Sequence, residues 1–179
     1  MKKILITLIC TLFILLQFAK AQNYNEILDR KKGFNKFILE SSFQIYKSDV
    51  KIDMIGFDNV KFYTYIKNDV KSVFGINIKK ISLGFFEDKL YTINIDFGNI
   101  TDDNISQIDN KLEELFGDPI LSKPNHLSTQ KFKSNAAWTG QIVWLQRDTY
   151  SCSNEYSPCE TNIFLISKKL QQLIKEKSF

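Results

Sequence analysis

The chain has 179 residues with 24 basic against 20 acidic side chains. Its first 21 residues read as a targeting segment whose loss removes Lys2, Lys3 and Lys20, so the formal charge falls from +4 to +1. A nearly neutral chain has no electrostatic reason to bind nucleic acid or an anionic membrane, and 13% aromatic residues exclude low-complexity disorder.

Lys2 and Lys3 form a basic start, Ile4 to Phe18 an apolar run, and Ala19-Lys20-Ala21 a small-x-small pattern before Gln22. That is the layout of a secretory signal peptide over residues 1–21. About 15 apolar residues fall short of the roughly 20 needed to span a bilayer, so no stable membrane insertion is expected after cleavage. Cys10 follows bulky Ile9 midway through the run and reads as a small hydrophobe, not as a lipid attachment point. The expected product is a periplasmic or secreted protein with one domain over residues 22–179, because no linker rich in Pro, Gly or Ser divides it.

Tyr24 to Lys32 suits a short helix before Gly33, and another is expected to begin after Ser42. Phe62 to Ile66 reads as a strand. Between Phe74 and Phe86, Ile76 and Ile78 share one parity while Ile81, Leu83 and Phe85 share the other, which predicts a bulge near Lys79-Lys80. Phe85 and Phe86 must face opposite ways, leaving one free to be exposed. Glu87-Asp88-Lys89 suits a hairpin turn. In Leu90 to Phe97, strict alternation places Tyr91, Ile93, Ile95 and Phe97 on one face.

The clearest helix is Ile105 to Phe116. Asp102 or Asp103 caps its start, Ile105, Ile108, Leu112, Leu115 and Phe116 form its stripe, and Gly117 and Pro119 end it. Trp138 to Arg147 and Asn162 to Ser167 are expected to pair, with Trp138 and Trp144 both in the core. A terminal amphipathic helix from Ser167 through Lys177 carries Leu170, Leu173 and Ile174 on one side. After residue 21 the only alanines are Ala136 and Ala137, so strands should outnumber helices. The predicted class is α+β, an antiparallel sheet with helices packed on one face.

With Cys10 removed, Cys152 and Cys159 remain, and an even count in an exported protein implies a disulfide. Closing an eight-residue loop is worth about 2.5 kcal/mol, a staple and no more. The loop from Asp148 to Glu160 also holds Tyr150, Asn154, Glu155 and Tyr156, a mixture resembling antibody paratopes. It reads either as a partner-binding surface or as a long hairpin loop secured for stability.

Catalysis has few places to reside. The single histidine, His126, lies in a Pro-Asn-His-Leu-Ser stretch without a nucleophile-elbow motif and 26 residues from the nearest cysteine. Zinc sites of the usual kinds lack ligands. The seven glycines are never closer than nine residues, so no phosphate loop exists. Asp102-Asp103 and Glu113-Glu114 are adjacent carboxylates, but the first pair sits where a helix cap belongs and the second on a wet helix face. No cofactor and no metal is expected.

The order helix, Leu-Phe-Gly-Asp-Pro at Leu115 to Pro119, Trp-led strand at Trp138 and two further strands resembles the helix-then-three-strands unit of the small exported BamE/SmpA and beta-lactamase-inhibitor-protein-like families. The Ser42 helix followed by strands at Phe62, Phe74 and Tyr91 is similar in layout to a first copy of that unit, without residue identity that marks a repeat. The resemblance covers the layout of residues 34 to 167 and transfers no individual site residue. Those families bind other proteins without catalysing reactions. Together with the missing catalytic motifs and the stapled loop, the resemblance implies an exported, non-enzymatic protein-binding module with an unknown protein partner: an inhibitor, an immunity-like factor or an envelope accessory protein. The alternatives are a small carboxylate-dependent hydrolase acting on carbohydrate, which needs two carboxyls facing across a cleft, and a small-ligand carrier, which needs an apolar cavity.

Overall fold

The computed structural model describes residues 25–56, 58–120, 132–150 and 159–178. Asn25 opens the first helix, α1 (Glu26–Lys31), its side-chain oxygen accepting the Leu28 N–H, and Lys32 ends it in the left-handed region at φ 47°. A short ribbon of β1 (Gly33–Phe34) and β2 (Phe37–Ile38) follows. The helix expected after Ser42 is a single 3₁₀ turn over Phe43–Ile45. Beyond it Val50 and Ile52 recur at a period of two, so the chain enters a strand, β3 (Val50–Ile55), that the sequence reading leaves unassigned.

β4 (Lys61–Tyr65), a second ribbon of β5 (Ser72–Val73) and β6 (Ile76–Asn77), and the hairpin of β7 (Lys80–Phe86) and β8 (Lys89–Ile100) complete the first half. Glu87 and Asp88 join β7 to β8 at φ 47° and 60°, as a type I′ turn requires. The second half is α2 (Asp102–Phe116), then β9 (Phe132–Thr139), β10 (Val143–Tyr150) and β11 (Cys159–Ser167), then α3 (Lys168–Lys177). Seven strands make one antiparallel sheet in the order β3-β4-β7-β8-β11-β10-β9. Each half contributes a meander, and the two meet where β8 pairs with β11. The fold is α+β.

Leu83, Ile93, Ile95, Leu145 and Leu165 fill the inner face together with Leu28 of α1 and Ile108 and Leu112 of α2. On the outer face Phe86 joins Val60 and Ile174 of α3, flanked by Phe62, Tyr91 and Leu173. Helical cover therefore falls on both faces, α1 and α2 on the inner and α3 on the outer. The reason is Phe86: it must point away from Phe85, yet both are buried, because Ile174 supplies the cover that strand alternation denies Phe86.

Other expectations are corrected by register. A bulge opposite Gly84 and Phe85 turns Tyr91 away from Ile93 and Ile95 and brings Leu90 to the inner face. Gly84 permits the close approach, since a Cβ there would lie 2.6 Å from Thr92 Cγ2. The parity switch after Ile78 is not a bulge within one strand; the chain leaves the β5–β6 ribbon and starts β7 afresh at Lys80. The expected strand from Trp138 to Arg147 is split into the β9–β10 hairpin at Gly140, where a Cβ would run into the Asp29 carboxylate. That carboxylate accepts the N–H groups of Gln141, Ile142 and Val143 at 2.6, 3.0 and 3.1 Å, which pins α1 to the turn. As a result the two tryptophans part: Trp138 is buried on the inner face with its indole N–H donating to Gly117 O at 2.7 Å, while Trp144 lies on the outer face beside Gln146.

The cap of α2 is Thr101, not Asp102 or Asp103. Its hydroxyl accepts the Asn104 N–H, and the two aspartates occupy the first turn, where negative charge favours the helix dipole. Ile105, Ile108 and Leu112 are the buried stripe. Asp109 on the same helix pairs with buried Arg147 of β10 through two bonds of 2.8 and 2.7 Å. Ser167 caps α3 through the Leu170 N–H.

Candidate functional site

β3 ends the sheet, with β4 on one side and no described strand on the other. Its residues show how a strand edge can remain sticky. Val50 faces Tyr65, Ile52 faces Tyr63, and after an extra residue at Asp53 the register resumes with Met54 opposite Phe62. Asp49 O accepts the Ile66 N–H at 2.9 Å, which makes Val50–Tyr65 a non-hydrogen-bonded pair. By antiparallel alternation the backbone groups of Val50 and Ile52 then face away from the sheet. Ile52, Met54 and Ile55 are 53%, 57% and 61% exposed. The opposite edge is better guarded: Ile120 N–H donates to Ala137 O at 2.7 Å, and Ala136, Ala137 and Trp138 are buried.

Two features blunt the β3 edge without closing it. The Asp53 bulge kinks the strand, and its carboxylate bonds Lys80 Nζ at 2.6 Å and Thr64 Oγ1 at 3.4 Å. The Lys80 ammonium holds that carboxyl below its ordinary value. Edge strands that are long and apolar pair with other chains unless they are protected, and here the protection is partial.

The outer face carries the carboxylates that an enzyme would need. Register sets Lys80, Asp96, Asn162, Asp148 and Asn135 in one row across five strands. Asp96 and Asp148 are two strands apart, about 10 Å between Cα atoms, with Asn162 between them. Both are held by structural bonds: Asp96 accepts the Gly98 N–H at 2.6 Å and lies 3.6 Å from Lys79 Nζ, and Asp148 accepts the Gln146 amide at 2.7 Å. Glu113 and Glu114 are exposed on α2, and Glu114 pairs with Lys111 at 2.6 Å. A polar cleft of about 440 Å³ is lined by Lys67, Lys71, Lys79 and Lys80, but Asp49, Asp96 and Asp53 lie within 3.8, 3.6 and 2.6 Å of three of them, so its net field is weak.

Burial pushes the Asp148 carboxyl above its ordinary value, against the Gln146 bond and the nearby Arg147 charge. A carboxyl raised on folding contributes stability below its unfolded value and loses it as pH rises through the folded value. Asp148→Asn is therefore expected to raise the melting temperature at neutral pH, and the gain should vanish well below the carboxylate range, where both side chains are neutral. Equal gains at both pH values in a thermal melt would refute a buried charge at this position.

Among the residues singled out by sequence, Tyr150 ends β10 opposite Phe132, half-buried. Burial and the Asp148 and Glu160 charges raise its hydroxyl above the ordinary value. Asn154, Glu155, Tyr156, Cys152 and His126 lie outside the described residues, and of Cys159 only the backbone, opposite Ile100 at the start of β11, is described. The disulfide and the loop surface therefore fall outside the described structure. The β3 edge is the surface that sequence reading missed; its signal was the alternation of Val50 and Ile52, obscured by the extra residue before Met54 and Ile55.

Among the described residues no helix is long and apolar enough to cross a membrane, and no group of three or more His, Cys, Asp or Glu side chains is placed to hold a metal ion. No protein family matches the chain, and neither curated proteins nor solved structures give a match.

Proposed function

We propose that the protein is an exported, non-enzymatic protein-binding module that takes an extended segment of another polypeptide as an eighth strand beside β3. The observation that carries this reading is the edge itself, three apolar side chains more than half exposed beside outward-facing backbone groups. Strand addition uses such an edge: main-chain hydrogen bonds give affinity, and alternate side chains give selectivity. Export by the signal over residues 1–21 and a Cys152–Cys159 staple belong to the same proposal. So does the layout of two helix-plus-strands units, in which the 3₁₀ turn and α2 each precede a meander.

The test is capture from the native envelope, with amide exchange on the captured complex. The protein should retain a partner that slows exchange at Val50 and Ile52, and an Ile52→Lys, Ile55→Lys variant with an unchanged melting temperature should lose it. Because these positions are exposed, the two changes should cost the free protein less than about 0.5 kcal/mol each. Undiminished capture by that variant refutes the edge. Loss of capture in a Tyr150→Ala, Tyr156→Ala variant alone would assign binding to the loop of Asn154 and Glu155 instead.

A further inference from the structure

Between the inner face of the sheet and α2 lies an apolar cavity of about 230 Å³. Ile95, Leu145, Ile163 and Leu165 of the adjacent strands β8, β10 and β11 line it, and Leu112 of α2 forms one wall. Half-buried Phe34, Phe74 and Phe116 border it. Phe74 adopts φ 54°, a left-handed conformation that is unfavourable for a bulky side chain, and its carbonyl is held by the Gln107 amide of α2 at 2.7 Å. A ring kept in place by a strained turn that is tied to the facing helix does not collapse into the space, as a closely packed interior would require.

The polar groups on the cavity wall are Lys31 and Asn35, both exposed. Lys31 has no acidic partner among the described residues. The carbonyls at the nearby end of α2 are already engaged, Phe116 O by the Asn25 amide and Gly117 O by the Trp138 indole. What is left is one ammonium and one amide beside a hydrocarbon interior. A carboxylate with an alkyl tail is complementary to both parts.

Size sets the length of that tail. An apolar cavity of about 150 Å³ accepts benzene, so on the same scale 230 Å³ takes roughly eight to nine carbons. We infer that this cavity is a binding site for a medium-chain monocarboxylate, with the tail against Leu112, Ile163 and Leu165 and the carboxylate at Lys31 and Asn35. The inference is independent of the β3 edge, which shares none of these residues.

Calorimetric titration of the purified protein with butanoate, hexanoate, octanoate and dodecanoate tests it, with methyl NMR to locate the ligand. Affinity should rise about fourfold per added methylene up to about eight to nine carbons and then stop rising. Methyl shifts should centre on Leu112, Ile163 and Leu165. Lys31→Ala, at an exposed helix end, should weaken octanoate about two- to fivefold and leave octan-1-ol unchanged. Leu115→Trp, which adds bulk to the cavity wall, should abolish both; the chain-length series and Lys31→Ala decide the matter even where that variant disturbs folding. Absence of saturable octanoate binding, affinity that keeps rising to dodecanoate, or octanoate binding indifferent to Lys31→Ala would each overturn the inference.

Discussion

Asp109→Ala is expected to lower the free energy of unfolding by about 3 kcal/mol, the lower end of the range for removing one partner of a buried ion pair. Arg147 is 3% exposed, and its guanidinium bonds Asp109 at 2.8 and 2.7 Å, Ser134 Oγ at 2.7 Å and Thr149 Oγ1 at 3.2 Å. Without Asp109 the neutral hydroxyls remain as acceptors, but the charge is uncompensated on the inner side of the sheet. The lower end applies because the Asp109 side chain is itself 27% exposed, so water entering its place solvates part of the guanidinium. Removing both charges should cost much less than the sum of the single changes, since the penalty is an unpaired charge and not a lost attraction. An Asp109→Leu, Arg147→Met double variant is accordingly expected to recover most of the loss in urea unfolding. A single-variant change below about 0.5 kcal/mol would mean that the pair contributes as little as an exposed one.

Leu112→Ala should cost about 2 to 5 kcal/mol, by lost transfer energy and by the space left behind. Leu112 is 1% exposed, and it already borders the apolar cavity, so truncation enlarges an existing void that the surrounding strands have not closed. The value is expected in the upper half of that range for this reason. Lys111→Ala, one residue away on the wet face, removes an exposed ion pair with Glu114 and should change stability by less than about 0.5 kcal/mol. Equal denaturant midpoints for the two variants would reject the assigned face of α2.

The site residues divided according to how far their partners lie along the chain. In the sequence Tyr150 reads as part of the loop from Asp148, but β10 runs through it, because Tyr150 pairs with Phe132 of β9, 18 positions earlier in the chain. The β3 edge was not legible, because one bulged residue at Asp53 breaks its period and moves Met54 to the other face from Ile52. The cavity was legible only in its components: Leu112 and Leu115 belonged to a predicted stripe, but nothing local placed Ile95, Ile163 and Leu165 around the same space. The Asp29 carboxylate, which accepts three backbone N–H groups more than 110 residues away, carried no signal beyond its place in a short helix.

What the amino-acid sequence determined by itself is what short stretches of chain and overall composition can encode. The stripe and terminators of α2, the Ser167 cap and stripe of α3, the turn at Glu87-Asp88 and the excess of strands over helices all follow from local periodicity, capping chemistry and propensity. The tertiary structure decided which face each stripe meets. Trp138 and Trp144 part because Gly140 is packed against Asp29 of α1, Tyr91 leaves the core because Gly84 admits a bulge, and α3 crosses to the outer face because Phe86 needs cover there. The first and third contacts exist only because a helix docks on the sheet, and the second depends on how closely β7 and β8 approach at Gly84. Alternation specifies two faces for a strand, and only the partner that arrives specifies which of them is the core.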